Sequence, residues 1–457
     1  MTIAAISTAV GEAGIGIVRI SGKMALEIGN AIFRGNKVEN LSEIHNRRLI
    51  YGHIVDMKNN QLVDEVLISY MKGPHTYTRE DMCEIYCHGG IISVRKVLEL
   101  VLNSGARLAE PGEFTKRAFL NGRLDLSQAE AIIDMIRAKT DKSFETSLNQ
   151  LEGSLSRKIK EIRSILLSMI AHVEASIDFP DEDIEDITYE DLENYGVKVK
   201  EEIENLLSTA DRGRILRDGL NTVILGKPNV GKSSLLNAVL RENRAIVTDI
   251  PGTTRDIIEE YVNIDGIPLK IVDTAGIRNT EDIVEKIGVN KAKETVEKAD
   301  LIIAVFDNSR ELSEEDYEII DLISDKKSII LLNKTDLPSK YTEDHLKSLV
   351  NNKEIITTSI TSGIGVDVLE KYIKEMFYSG EVEIYSDTVI TNMRHKNQLV
   401  KALQNINHAI DDIRGNVPVD CIEVDLKNCW ENLGEISGDT IDEDILDKIF
   451  SEFCIGK

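Results

Sequence analysis

Gly226-Lys-Pro-Asn-Val-Gly231-Lys232-Ser233 has the residue types and spacing of a phosphate cradle. The glycines let backbone N–H groups turn toward phosphate oxygens. Lys232 adds a point charge for the β- and γ-phosphates, and Ser233 offers a hydroxyl to Mg²⁺. The motif follows a predicted strand at 222–225 and opens a predicted helix at 234–240, the context it needs. Asp273-Thr-Ala-Gly276 ends a second predicted strand and places a carboxylate near Mg²⁺ and a glycine N–H near the γ-phosphate. Asn333-Lys-Thr-Asp336 ends a third. Asp336 can accept both N–H groups on the Watson–Crick edge of guanine. Adenine would leave that carboxylate unpaired, so GTP rather than ATP is expected. Ser359-Ile-Thr361 stands where a base-lining loop belongs.

The catalytic group is less plain. Small GTPases place a water-positioning glutamine after the Asp-Thr-Ala-Gly motif; here Ile277 follows Gly276. Thr248-Asp249-Ile250-Pro251-Gly252-Thr253-Thr254 lies where the first switch belongs, and Thr253 or Thr254 can reach Mg²⁺. Glu281, Asp282 and Glu285 follow the second motif, each by itself an ordinary surface charge. Cys83-x₃-Cys87-His88 has a metal-like look. In a strand, however, both cysteines share a face with Ile85, and no second ligand pair appears, so packing is expected.

Three textures position these residues. Residues 1–120 mix short apolar runs with turns and one or two helices, such as one over 91–103, an α+β pattern. From Leu124, apolar residues recur at three- and four-residue spacing from Ile132 to Ile170, the period of long amphipathic helices. Ser127-Gln-Ala-Glu130 reads as a capping box opening the first of them. Between 219 and 378, apolar strands alternate with helices, the signature of βαβ units and a mostly parallel sheet. After 380 the helical texture returns, with a second capping box at Thr440-Ile-Asp-Glu443. The expected divisions are 1–120, 121–218, 219–378 and 379–457. The α/β part is then an insertion in a helical domain, with 177–187 an acidic linker. The fold class is multidomain: α/β, α+β and all-α.

The chain has 457 residues, enough for about three domains. Lys and Arg number 54 against 79 Asp and Glu, a formal net charge of −25, and 42% of residues are hydrophobic. That composition excludes a disordered chain and argues against a protein that coats nucleic acid by itself. No run reaches the ~18 apolar residues of a membrane span, and no basic leader precedes an apolar stretch. Five cysteines, an odd and sparse set, fit a reducing cytoplasm.

The GKPNVGKSS, TDIPGTTRD, DTAG and NKTD set resembles the TrmE–Era-like GTPases. GIGIVRISG, EIYCHGG, PGEFTKRAFLNGRLDLSQAEAI, IDFPDED and the terminal FCIGK narrow the resemblance to the MnmE (TrmE) family of tRNA-modifying GTPases, over essentially the whole chain. The resemblance implies an N-terminal tetrahydrofolate-binding-like domain that mediates homodimerisation. It implies a heterotetramer with the FAD-dependent partner MnmG (GidA). Together they would add an aminomethyl or carboxymethylaminomethyl group to C5 of the wobble uridine of certain tRNAs. The one-carbon unit would come from 5-formyl- or methylene-tetrahydrofolate. GTP hydrolysis would require K⁺ and facing G domains.

Carried over residue by residue, the resemblance puts K⁺ on Asn229, Thr248, Ile250 and Thr253, and Mg²⁺ on Ser233 and Thr254. It makes Glu285 the group that orients the attacking water. The GTP-binding set is then Asn229, Val230, Gly231, Lys232, Ser233 and Ser234; Thr248, Asp249, Ile250, Pro251, Gly252, Thr253 and Thr254; Asp273, Thr274, Ala275 and Gly276; and Asn333, Lys334 and Asp336. Folate contacts fall on Arg19, Glu84, Arg123 and Lys457, with Cys454 a possible nucleophile. Glu259 stands where some relatives carry arginine, which leaves any role of that arginine without a carrier here. A chain this acidic is expected to leave most of the tRNA grip to its partner and to work in the cytoplasm. Two competing readings are a ribosome-assembly switch without covalent RNA chemistry and a folate-dependent transferase with an idle G domain. The first expects a basic KH-like flank, where this chain has acidic helices; the second conflicts with intact phosphate, Mg²⁺ and guanine motifs.

Overall fold

The computed structural model describes residues 1–35, 40–41, 46–178, 188–243, 260–272, 295–351, 353–378 and 388–457. The N-terminal part is a seven-stranded sheet. Its strands are β1 (Ile3–Ile6), β2 (Gly16–Ser21), β3 (Phe33–Gly35), β4 (Ile50–Asp56), β5 (Gln61–Met71), β6 (Met82–Cys87) and β7 (Arg107–Leu108), in the order β3-β4-β5-β6-β2-β1-β7. All neighbours are antiparallel except β1 and β7. Alternation along the strands sorts side chains onto two faces. Val18, Ile20, Cys83, Ile85 and Cys87 join one core under helices α1 (Ala25–Ile32) and α2 (Ile91–Asn103). Ile3 and Ala5 pack on the other face with Ala109 and Phe114. Arg19 and Glu84, directly opposite each other in register, belong to that second face.

Helices α3 (Glu113–Leu120), α4 (Leu126–Arg137), α5 (Asp141–Leu151), α6 (Ser154–Asp178), α7 (Tyr189–Ser208) and α8 (Ala210–Asp218) follow. A second sheet comes next. β8 (Leu220–Leu225), α9 (Lys232–Asn243), β9 (Glu260–Ile264), β10 (Ile267–Ile271), β11 (Leu301–Asp307), α10 (Glu314–Leu322), β12 (Ser328–Asn333), α11 (Glu343–Leu349), β13 (Ile355–Thr357) and α12 (Val366–Tyr378) build it in the order β13-β12-β11-β8-β10-β9. All pairs are parallel except that of β9, the antiparallel edge. β11 and β12 are buried along their whole length, as strands covered on both faces must be. The chain lays β9 and β10 on one side of β8 and β11 on the other, so strand order reverses at β8, where such sheets bind ligands.

Helices α13 (Met393–Arg414), α14 (Val419–Ser437) and α15 (Glu443–Ser451) complete the chain. Leu155, Ile159, Ile162, Leu166, Met169 and Val173 form the helical stripe of α6. They share one core with Val199 and Ile203 of α7, Leu399 and Ile406 of α13, and Leu426 and Leu433 of α14. Each such side chain contributes about 1.5–3 kcal/mol on burial. Residues from both sides of the α/β segment thus make a single helical core, and the mostly parallel sheet is an insertion in it.

Both expected capping boxes are displaced. The cap of α4 is Asp125, whose carboxylate accepts from Gln128 N while the Gln128 side chain accepts from Asp125 N. Ser127 is inside the helix and fully buried, hydrogen-bonded to Asp125 and Ser156. Glu130 is buried as well, paired with Arg394 and His395. The ionised carboxylate two residues earlier is the stronger acceptor, and both later residues face the interior. At α15 the cap is Asp442, which accepts from Asp444 N; Thr440 lies outside the helix. The P-loop helix begins at Lys232, two residues before its expected start. The expected linker at 177–187 lies, from 179 on, outside the described residues.

Candidate functional site

The phosphate loop leaves β8 at Leu225 and enters α9 at Lys232. Its backbone takes conformations open to few residue types. Gly226 and Gly231 have φ of 151° and 111°, and Asn229 is left-handed at 61°. A Cβ on Gly226 would lie 2.5 Å from the Val305 carbonyl, and one on Gly231 would lie 2.3 Å from Asn333 Nδ2. Lys232 Nζ donates to the Gly226 and Lys227 carbonyls at 2.6 and 2.7 Å, which holds the ammonium inside the loop. Burial pulls its pKa below the ordinary lysine value. Val230 is buried beneath the loop, whereas Asn229, Ser233 and Ser234 are exposed.

The guanine motif stands at the carboxyl end of β12, one strand beyond β11. Asn333 is buried, and its Nδ2 donates to the Val230 carbonyl at 2.8 Å. Its Oδ1 accepts from Ile360 N and Thr358 Oγ1, both at 3.2 Å. Lys334, left-handed at φ 64°, donates to Asp307 Oδ2 at 2.7 Å. Burial of Asp307 acts to raise its pKa, but hydrogen bonds from Lys334 and Ser309 hold it below the usual carboxylate value. Asp336 is exposed; its Oδ1 accepts from Ser359 Oγ at 2.7 Å, so the expected base-lining residue orients the expected base-reading carboxylate. The residues from 226–234 and 333–336 therefore meet at one edge of the sheet.

Thr248, Asp249, Ile250, Pro251, Gly252, Thr253, Thr254, Glu259, Asp273, Thr274, Ala275, Gly276, Glu281, Asp282 and Glu285 lie outside the described residues. Of the proposed metal ligands, Ser233 and Asn229 are described. A hydroxyl at the first turn of α9 and an amide oxygen on a left-handed loop residue are oxygen donors, the kind that hard cations take.

A second constellation occupies the outer face of the N-terminal sheet. Arg19 Nε donates to Glu84 Oε1 at 2.8 Å, and Tyr86 OH donates to Glu84 Oε2 at 2.7 Å. The Arg19 guanidinium lies 5.4 Å from the Tyr77 ring centre and 5.7 Å from that of Phe114. Arg123 stacks on the same Tyr77 ring at 4.6 Å and donates to the Tyr77 carbonyl at 3.0 Å. Tyr77 thus joins two arginines that are far apart in sequence. The last residues dock here. Gly456 O accepts from Ser7 Oγ at 3.2 Å and from Arg19 Nη1 at 3.4 Å, and Lys457 O accepts from Phe114 N at 3.2 Å. Arg19, Glu84, Arg123 and Lys457 are brought together. Tyr77, Tyr86 and Phe114 are members that sequence reasoning did not supply. The carboxylate, cations and rings suit a ligand with a donor edge, an aromatic body and an anionic tail.

Cys454 is exposed beside this tail, and its carbonyl accepts from Gly112 N and Lys457 N at 3.4 and 3.3 Å. Burial pushes the Cys83 thiol up to about 12 and the Cys87 thiol up to about 11. Both stay protonated and pack in the core with Ile85, as their strand spacing implies. Among the described residues no group of three His, Cys, Asp or Glu side chains could hold a metal ion, and no helix is long and apolar enough to cross a membrane.

Two family descriptions match the chain. Residues 2–123 match the family described as GTP-binding protein TrmE N-terminus, and residues 126–454 match the MnmE helical domain. The chain is 57% identical over 456 residues to the tRNA modification GTPase MnmE of Alkaliphilus oremlandii, covering 100% of this chain and 99% of that protein. The protein of the same description from Clostridioides difficile is 58% identical over 456 residues, with 100% and 99% covered. That from Bacillus subtilis is 51% identical over 457 residues, with both chains fully covered. Among solved structures, Aquifex aeolicus Era is 30% identical over 40% of this chain and 66% of that one, at a TM-score of 0.28. At that score the likeness adds nothing to the sequence match.

Proposed function

This chain belongs to the MnmE (TrmE) family of tRNA modification GTPases, and from that premise we propose that it hydrolyses GTP under K⁺ control to drive modification of the wobble uridine. It acts with the FAD-dependent partner MnmG and adds an aminomethyl or carboxymethylaminomethyl group at C5, using a folate-borne carbon. Residues 1–120 form the folate-binding and homodimerisation domain, 121–218 and 379–457 the helical domain, and 219–378 the G domain. The protein is cytoplasmic, and its partner carries most of the tRNA contact.

The observation that carries the nucleotide half is the Asn333–Val230 hydrogen bond, which locks base-reading and phosphate-holding loops into one unit. The loop amides and Lys232 hold the β- and γ-phosphates. Asp336 reads the guanine edge, with Ser359 fixing its orientation. Ser233 and Thr254 hold Mg²⁺, while Asn229, Thr248, Ile250 and Thr253 hold K⁺. When bound, these cations neutralise charge that builds on the phosphates during transfer. Glu285 orients the attacking water in place of the absent glutamine.

On the sheet face, Glu84 accepts from a pterin amide and amino edge and Tyr77 provides a ring wall. Arg19, Arg123 and Lys457 face the glutamate tail. Cys454 stands close enough along the chain to serve as a nucleophile, which Cys454→Ser tests.

The deciding experiment is nucleoside mass spectrometry of tRNA from cells lacking this chain. The reading requires the C5-modified wobble uridines to vanish and to return with the wild-type gene. Their persistence, with ribosomal precursors accumulating, would overturn it and favour an assembly switch.

A further inference from the structure

An open cavity of about 330 Å³ lies among α4, α8, α13 and α15, apart from both sites described above. Its polar floor is fully committed. Arg394 donates to both Glu130 oxygens at 2.9 and 2.7 Å and to the Glu435 and Ile436 carbonyls. Two further cations stand at its walls, Arg217 paired with Asp134 and Lys448 without an ion pair among the described residues. Arg217 uses only Nε, on Asp134 at 2.8 Å, and its two Nη groups have no partner among the described residues. Arg137 stands at the rim, donating from Nη2 to the Glu452 carbonyl at 2.8 Å. The Glu452 carboxylate is the one uncommitted anion of the lining. Behind Arg217, the buried Asp134 Oδ2 is unpaired. The free Nη edge of Arg217 and the Lys448 ammonium at one concavity are informative in a chain of net charge −25.

The rest of the wall is apolar. Ile133, Ile445 and Ile449 line it, with the buried Phe453 packed against Phe450 beneath. The volume falls at the small end of ligand pockets, about 300–1,000 Å³, which suits one nucleotide unit. A guanidinium edge and an ammonium match phosphate oxygens, and the aliphatic wall matches the apolar faces of a base and sugar. The position also matters. Phe453 immediately precedes the tail docked at Arg19, and α8 leads directly into β8 and the P-loop.

We propose that this cavity binds a nucleotide through its phosphate, and that the nucleotide is one unit of the tRNA substrate's single-stranded loop. The proposal rests on the tRNA-modifying reading above. A free mononucleotide offers the same chemistry, so the test separates the two sources.

The full-length protein is titrated with a fluorescent anticodon stem-loop RNA and, separately, with uridine monophosphate. Lys448→Glu reverses a charge at the wall, and Ile445→Trp fills the space without changing charge. Lys347→Glu on α11, an exposed lysine away from the cavity, is the control. Both cavity variants should weaken stem-loop binding about tenfold, and Lys448→Glu should lower the salt slope by about one. GTP hydrolysis without RNA should match the wild type in all three. Loss of mononucleotide binding alone in the cavity variants overturns the proposal as to its occupant and leaves the cavity to a free nucleotide. Wild-type affinity for both probes in both variants, or no binding of either probe by the wild type, overturns the proposal. Restoration of modified uridines in deletion cells separates the two readings. If the wild-type gene restores them and the cavity variants do so equally, only the cavity proposal falls; if the wild-type gene fails, the tRNA reading falls.

Discussion

Asn333 Nδ2 and the Val230 carbonyl are 2.8 Å apart, so one buried amide couples the carboxyl end of β12 to the glycine-rich loop after β8. Its oxygen accepts from Thr358 and Ile360, which brings the third loop into the same unit. Preorganisation of this kind lets a nucleotide find its contacts without ordering three loops separately.

Asp336→Asn should weaken GTP affinity by about 100-fold, because two charge-assisted acceptors are replaced by one acceptor and a clashing donor. The same variant should gain affinity for xanthosine triphosphate, whose edge carries a carbonyl where guanine has an amino group. Competition with a fluorescent nucleotide measures both. Unchanged preference for GTP would remove Asp336 from base recognition.

Glu285→Ala should bind GTP normally and hydrolyse it about 10²-fold more slowly or worse, the usual range for loss of a group that handles the attacking water's proton. Replacing K⁺ with Na⁺ should slow the wild type and scarcely affect the variant. Single-turnover hydrolysis in the two salts checks this. Normal turnover in Glu285→Ala would contradict its assigned role.

Tyr77→Ala should weaken 5-formyltetrahydrofolate binding by about 10-fold, since two guanidinium–ring contacts, each worth about 0.5–2 kcal/mol, disappear together. GTP hydrolysis should not change. Calorimetry with the folate, beside a GTPase assay, distinguishes a local effect from misfolding.

Acid should loosen the helical body in two steps. His395 is fully buried, and burial outweighs the opposing pull of Glu130, so its pKa lies below the ordinary histidine value of 6.5. The unfolded state therefore binds more protons as pH falls through about 6.5, and stability drops there. Burial of Glu130 acts to raise its pKa, but His395 and Arg394 bring it down to about 2 from 4.5, so its contribution is lost between those values. Trp430 is the single tryptophan and packs 3.9 Å from Arg163 in this body, so its fluorescence reports the transition. Urea midpoints should fall from pH 7.5 to 5, and His395→Asn should flatten that slope. A parallel fall in the variant would assign the pH dependence to other groups.

Local signals carried much of the architecture. The phosphate loop needs a fixed spacing of glycine, lysine and serine, and it stands between β8 and α9 where that spacing placed it. The period of α6 and the unbroken apolar runs of β11 and β12 were equally plain, because burial on one stripe or two faces writes itself into composition. Asp125-Leu-Ser-Gln-Ala-Glu130 was ambiguous in principle. It holds two overlapping capping patterns, and only the burial of Ser127 and Glu130 selects the first. Tyr77 left no local signal, because its role comes from Arg19 and Arg123 converging from opposite sides in sequence. The Arg19–Glu84 pair spans 65 positions and depends on the β2–β6 register.

Ser7 and Gly456 are bonded across 449 positions. At about 5–20 residues per second of synthesis, roughly 20–90 s separate the emergence of the sheet from that of the segment that covers it. During that interval the face bearing Ile3, Ala5 and Phe114 lacks its last layer. The outer sheet face of the earlier-made part is thus covered by a later one, and its assembly is timed by the ribosome rather than by the local folding of the sheet.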